Sequence, residues 1–251
     1  MKAYSDLMEY AIRILGKPGT IHLLYYQKLF YRSFWILTLD GSVGLFDNKS
    51  FTVEMAQVKV KNEVLLASLT MPKKLIAADD GTVFLLLPGE ELVTYNKENH
   101  EFSADHNFFN PKPEWKIVDF IPQPGTKKLW MCLSEQGFAV YDQNTGQLSH
   151  NDNNLGQEII IEHYKNTTNP NKLFFDSRGR AWHVGMADGL PYIYSYDLQK
   201  KEVVLYKYGF LDQVPRHHEI HQFLEQHDGN IWISGINILA KYLEKEKQFE
   251  Q

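Results

Sequence analysis

The densest group of side chains able to do chemistry is Arg216-His217-His218-Glu219-Ile220-His221. Three imidazoles beside a carboxylate suggest a divalent cation, since zinc takes nitrogen and oxygen ligands converging on four corners. In a strand, however, alternation sends His217 and His221 to one face and His218 to the other. The helical spacing His-Glu-x-x-His is absent. We read the segment as a polar link entering a strand and expect neither metal nor cofactor. The carboxylate pairs Asp79-Asp80 and Glu90-Glu91 raise acid–base hydrolysis, which needs two carboxyls held across one bond. Neighbours on a strand point to opposite faces, so both pairs read as solvated turn residues. His183, next to Trp182, reads as a satisfied strand histidine. Gly16-Lys17-Pro18-Gly19-Thr20 lacks the full phosphate-loop spacing, and Asn166-Thr167-Thr168 fits a glycosylation acceptor by composition alone. No nucleophile elbow or Cys–His arrangement occurs. The chain is not expected to be an enzyme.

The elements that would position any such group follow a repeat. Trp35, Phe84, Trp130, Trp182 and Trp232 each sit in a short apolar run, spaced 49, 46, 52 and 50 residues apart. A second aromatic follows each anchor, Phe46, Tyr95, Tyr141, Tyr196 and Tyr242, at offsets of 11, 11, 11, 14 and 10. A turn rich in Asp, Asn, Lys and Gly comes next, as in Asp142-Gln143-Asn144-Thr145-Gly146, and then another apolar position: Phe51, Phe102, Leu148, Val203 or Phe249. Asx and Gly residues favour tight turns, so hairpins join these runs. Gly81, Gly179 and Gly229 stand three residues before their anchors, with an apolar run ahead of each. Four short strands in about 40 to 50 residues match one blade of a β-propeller. The expected fold is all-β: a propeller with five four-stranded blades visible, over about 21–58, 59–105, 106–155, 156–210 and 211–251. Residues 1–20 read as an N-terminal cap or closing segment. Either that segment pairs with the fifth blade to close the ring, or the chain is a piece of a larger propeller. The stop inside the fifth repeat favours the second reading.

Bulk composition narrows the classes. The chain has 251 residues, 14% aromatic, and a formal net charge of −5. That charge argues against capture of nucleic acid or an anionic membrane, which calls for clustered positive charge. The single cysteine, Cys132, lies in an anchor run and reads as a small buried hydrophobe. No apolar run approaches the roughly 18 residues of a membrane span. A basic-then-apolar leader is also absent, so the chain reads as soluble and without a signal peptide.

Three units carry more than the anchor. They read Asp80-Gly81-Thr82-Val83-Phe84 with Tyr95-Asn96; Phe175-Asp176-Ser177-Arg178-Gly179-Arg180-Ala181-Trp182 with Tyr196-Asp197; and His227-Asp228-Gly229-Asn230-Ile231-Trp232-Ile233-Ser234-Gly235. These resemble two-component regulator propeller repeats, which run apolar–Asp–x–x–Gly–x–Leu–Trp–Ile–Gly–Thr, then Gly-Leu, then aromatic–Asp. The resemblance covers about 21–251. It departs from the pattern in the first unit, which has Tyr31-Arg32-Ser33-Phe34 before Trp35, and in the second, where Phe84 replaces tryptophan. Gly-Thr survives only as Gly185, Gly235 and Thr38. The resemblance implies the extracytoplasmic sensor region of a hybrid two-component histidine kinase, periplasmic in location and carbohydrate-responsive. Kinase and membrane helix would lie elsewhere in the parent protein.

A binding face is expected where inter-strand turns and inter-blade links gather. Asp40, Glu90, Glu135, Gln136, Asp188 and Asn237 fall in those turns, with the links 106–115 and 216–218. A flat ring stacks on sugar C–H faces while polar groups bond the hydroxyls. The proposed ligand-binding residues are Trp115, Glu135, Gln136, Asp188, Arg216, His217 and His218. For Phe108, Phe109 and Trp115 the competing reading is a seal between blades two and three. Expected partners are a carbohydrate or other small polar ligand and further blades or domains of the parent chain. A homodimer is allowed for and nucleic acid is not. A protein-interaction scaffold and a propeller glycosidase or lyase are the alternative functions.

Overall fold

The computed structural model describes residues 25–29, 33–37, 41–47, 49–60, 72–112, 114–165, 168–187, 190–206 and 219–250. The expected N-terminal cap, 1–20, lies outside them. The chain forms two compact units, Met1–Asn110 and Pro111–Gln251.

The first unit holds β1 (Tyr25–Leu29), β2 (Ser33–Leu37), β3 (Val43–Asp47), β4 (Thr52–Val58), β5 (Lys74–Ala77), β6 (Val83–Leu86), β7 (Leu92–Asn96) and β8 (Glu101–Ser103). The second holds β9 (Ile117–Pro122), β10 (Lys128–Leu133), β11 (Gly137–Asp142), β12 (Gln147–His150), the short helix α1 (Ile159–His163), β13 (Thr168–Phe175), β14 (Arg180–Ala187), β15 (Leu190–Asp197), β16 (Glu202–Tyr206), β17 (Ile220–Glu225), β18 (Ile231–Gly235), β19 (Ile238–Leu243) and β20 (Gln248–Glu250). Every consecutive group of four is an antiparallel meander. Each anchor lies on the second strand, pairing with Gln27, Ile76, Ile121, Phe174 and Leu224 in turn on the first.

Period-2 alternation gives the blades apolar faces, and within each unit neighbouring blades stack through them. In the second unit β9 lies against β13 and β13 against β17, so first strands run side by side. Asp119 on β9 stitches two of them by accepting the Leu173 N–H at 2.6 Å. One core joins Trp130, Cys132, Phe138 and Val140 of the third blade to Leu173, Phe175, Ala181, Tyr194 and Tyr196 of the fourth, with Ile160, Ile161 and Tyr164 from α1 and just after it. The next joins Trp182, Val184 and Ile193 to Phe223, Ile231, Ile233, Tyr242 and Phe249. In the first unit the core runs from Trp35, Leu37 and Val43 to Leu75, Leu85, Val93 and Phe102.

Two details depart from the repeat as read. The first two blades are not separate sheets. β4 overruns β3, and its end pairs in parallel with β8, Gln57 with Glu101 and Val58 with Phe102. Lys59 completes the join, its N–H reaching the Phe102 carbonyl at 2.8 Å and its Nζ reaching Glu101 at 2.7 Å. The apolar position of the first blade's outer strand is also Val53, opposite Phe46, rather than Phe51. Phe51 occupies the turn at φ 55° and is 50% exposed.

The glycine after the fifth anchor has a steric cause. A Cβ on Gly235 would stand 1.8 Å from the Glu219 carbonyl oxygen, which accepts the Ile236 N–H at 2.9 Å.

Candidate functional site

Three segments of the third blade converge on an open cavity of about 270 Å³ lined by Lys112, Glu114, Trp115, Leu133, Glu135, Gln136, His150, Asn151 and Asp152. The first is the link before β9, closed on itself by the Trp115 N–H bonded to the Lys112 carbonyl at 2.9 Å. The second is the β10–β11 turn, tied to that link by the Ser134 N–H on the Lys116 carbonyl at 2.9 Å. Glu135 sits there at φ 63°. This left-handed region disfavours side chains with a Cβ, at a cost of about 1–2 kcal/mol. Glu90 and Asn237 hold the matching position in their own blades, at φ 64° and 55°. The third is the turn after β12, where His150 and Asn153 exchange backbone hydrogen bonds of 3.0 and 3.1 Å.

Asn151 joins the last two segments, its Nδ2 donating to the Gln136 carbonyl at 2.7 Å. Its Oδ1 is buried and has no hydrogen-bond partner among the described residues. Lys112 Nζ lies 3.2 Å from Asp152 Oδ2 and 5.8 Å from the centre of the Trp115 ring. His150 meets Trp115 edge-on, with ring centres 5.2 Å apart. Its Nδ1 accepts the Asp152 N–H at 3.3 Å, which puts the proton of the neutral ring on Nε2. Burial, helped by the Lys112 charge and opposed by Asp152, lowers the His150 pKa from its ordinary value. Near neutral pH the lining therefore carries one ammonium against three carboxylates, alongside neutral amide and imidazole groups. Such a surface repels anions and offers many hydrogen bonds to an uncharged polar molecule.

Of the residues singled out from sequence, Trp115, Glu135 and Gln136 meet at this cavity. Asp188, Arg216, His217 and His218 lie outside the described residues, as does Asp40. Among the described residues, no group of three or more His, Cys, Asp or Glu is placed to hold a metal. Trp115 is only 8% exposed, so a strip of its ring, not a face, reaches the cavity. Phe109 is buried too, whereas Phe108 is 45% exposed and lies edge-on to Phe84. Sequence reasoning missed His150, Asn151 and Asp152. The polar run His150-Asn151-Asp152-Asn153-Asn154, leaving the third outer strand, was the signal available. His183 is not a satisfied strand histidine: it is fully buried among Phe138, Tyr164 and Tyr194, and neither ring nitrogen has a partner among the described residues. That desolvation lowers its pKa to about 3.

With this geometry in hand, comparison with solved structures defines the architecture. The chain is similar to the extracellular domain of a hybrid two component system, BT3049 from B. thetaiotaomicron, with 16% identity and a TM-score of 0.59. The match spans 92% of this chain and 30% of that one. It is similar as well to the β-propeller domain of Cps50 (Swd1) from Myceliophteria thermophila, at 8% identity and TM-score 0.53, over 88% of this chain and 68% of that one. The dihydro-heme d1 dehydrogenase NirN matches at 13% identity and TM-score 0.51, over 88% and 44%. The fold is a β-propeller. At these identities the likeness carries fold alone, and the neighbours include a sensor domain and an enzyme alike. No family model matches the sequence, and no curated protein does. Among the described residues no helix is long and apolar enough to cross a membrane.

Proposed function

We propose that this chain is the non-catalytic, ligand-sensing propeller of a two-component sensor, and that the third-blade cavity binds a carbohydrate or similar uncharged polyol. The observation that carries the reading is the cavity itself, where carboxylate, amide, imidazole and ammonium groups gather beside Trp115. A sugar hydroxyl both donates and accepts, so amide and carboxylate oxygens of the lining can accept its hydrogen bond. The carboxylates accept further hydroxyls, and Lys112 donates. The sensor assignment draws on the fold shared with the BT3049 extracellular domain and on the repeat motifs around Gly81, Gly179 and Gly229. Placement outside the cytoplasm and coupling to a kinase belong to the same reading.

The test is thermal-shift and calorimetric titration of the 251-residue chain with neutral mono- and disaccharides, glucose, galactose, mannose, xylose and their disaccharides. Ligand at about 100 times its Kd stabilises by about 2.7 kcal/mol. We expect saturable stabilisation without turnover, lost in Asn151→Ala when each protein is measured against its own unliganded Tm. Stabilisation that survives Asn151→Ala puts the ligand elsewhere. Turnover of any of these sugars, or no binding by any of them, overturns the reading.

A further inference from the structure

Three of the five anchors have a defined seat on the following blade. Trp35 of the first blade packs edge-on to Tyr95 and Phe102 of the second, at 4.6 and 5.3 Å between ring centres. Trp130 of the third meets Phe175 and Tyr196 of the fourth, at 5.2 and 6.3 Å. Trp182 of the fourth meets Tyr242 and Phe249 of the fifth, at 5.1 and 6.0 Å. In each pair the tryptophan faces forward, and the third-strand tyrosine of the following blade receives it. Trp35, Trp130 and Trp182 are accordingly at most 1% exposed.

The fifth blade breaks the series. Its backward face is buried through Ile231, Ile233, Ile238, Ala240, Tyr242 and Phe249. Its forward face is not: Trp232 is half-buried, while Leu224 and Leu239 are 55% and 60% exposed. These three line one predominantly apolar groove with Gln222, Gln226 and Ser234. Trp130 and Trp182 donate their indole N–H groups to Gln123 and Asp176 of their own blades, whereas the buried Nε1 atoms of Trp35 and Trp232 have no partner among the described residues. A second copy of this chain offers no matching surface at its first blade, because Ile36 and Phe46 on the corresponding backward face are already 3% exposed.

We infer that the forward face of the fifth blade is the seat of a further four-stranded unit of the same repeat, which presents a third-strand aromatic to Trp232. The established blade-to-blade interface continues across it with the same polarity. An apolar patch of this kind, rimmed by polar groups, marks a contact surface.

The test appends one unit, a copy of residues 207–250 with the copied Trp232→Phe change, to the 251-residue chain labelled with 5-fluorotryptophan. The native Trp232 resonance, assigned by Trp232→Phe, is read with a soluble paramagnetic probe. In the chain alone we expect Trp232 to broaden; in the extended chain that broadening is lost, to the level of Trp182, and Tm rises. Leu239→Asp restores the broadening in the extended chain but leaves the Tm of the 251-residue chain unchanged. An appended unit that folds and leaves Trp232 accessible overturns the inference, and so does one that stays unfolded. Two further results overturn it: a large loss of Tm from Leu239→Asp in the unextended chain, showing the face already covered, or a dimer with Trp232 at its contact.

Discussion

The two faces of the fifth blade differ both in residue types and in surroundings. Towards the fourth blade, tryptophan, tyrosine and phenylalanine interlock under an ionic clamp. Arg180 stacks 4.9 Å from the Trp182 ring and 5.5 Å from the Tyr242 ring, and bonds Asp176 at 2.7 Å and Glu244 at 2.9 Å. Away from the fourth blade, Trp232 and two leucines lie partly in water with no such clamp among the described residues, and Asn230 stands where Arg180 does one blade earlier. The comparison teaches that an anchor becomes core only when the following blade arrives. The repeat sequence encodes half of each interface, and the neighbour supplies the rest.

The largest expected effect breaks the closed side. Asp176 has no exposed side-chain surface, and it accepts from Arg180 Nε, Trp182 Nε1 and the Arg178 and Arg180 N–H groups. Asp176→Ala strands these donors beside a buried guanidinium, so denaturant unfolding should show a loss of about 3–5 kcal/mol. Trp182→Ala and Trp232→Ala then sharpen the contrast. The first removes a fully buried ring and should cost about 3–5 kcal/mol. The second removes a half-buried one and should cost about 1–2 kcal/mol. Equal losses would erase the distinction between the faces.

The junction between the third and fourth blades differs from both faces of the fifth, because a neutral imidazole sits in its dry aromatic core. His183 has a folded-state pKa of about 3, below the ordinary 6.5. Its contribution is fully present above about pH 6.5 and is lost as pH falls towards about 3, since the unfolded chain binds the proton more tightly. At about 1.4 kcal/mol per pH unit, roughly 2 kcal/mol should be gone at pH 5. His183→Phe should flatten that slope, which urea titrations across pH would reveal.

The smallest effect concerns the candidate site. Glu135→Gly relieves the left-handed strain and should stabilise by about 1 kcal/mol, while weakening ligand binding. Stabilisation with binding intact would show that the carboxylate does no work there.

Much of this was legible in the sequence because a propeller blade repeats its anchor. Trp35, Trp130 and Trp182 marked second strands, and the Asx and Gly turns marked the hairpins. The parallel join of β4 to β8 was not legible, because it rests on a two-residue overrun at Gln57 and Val58 that carries no distinctive residue type. Nor could Trp232 be told from Trp182, whose local motif it shares, since exposure is set by what packs on the face. At the site, Trp115, Glu135 and Gln136 could be gathered from loop position alone. The orphaned Asn151 oxygen could not, because it depends on where the β12 turn closes.

The central claim is that Trp35, Trp130 and Trp182 are each locked by the third-strand tyrosine of the next blade. A double-mutant cycle on Trp182→Leu and Tyr242→Leu, read by equilibrium unfolding, tests it most directly. The account predicts a coupling of about 1–2 kcal/mol, in the range for contacting residues. Additive losses, with coupling near zero, would contradict it.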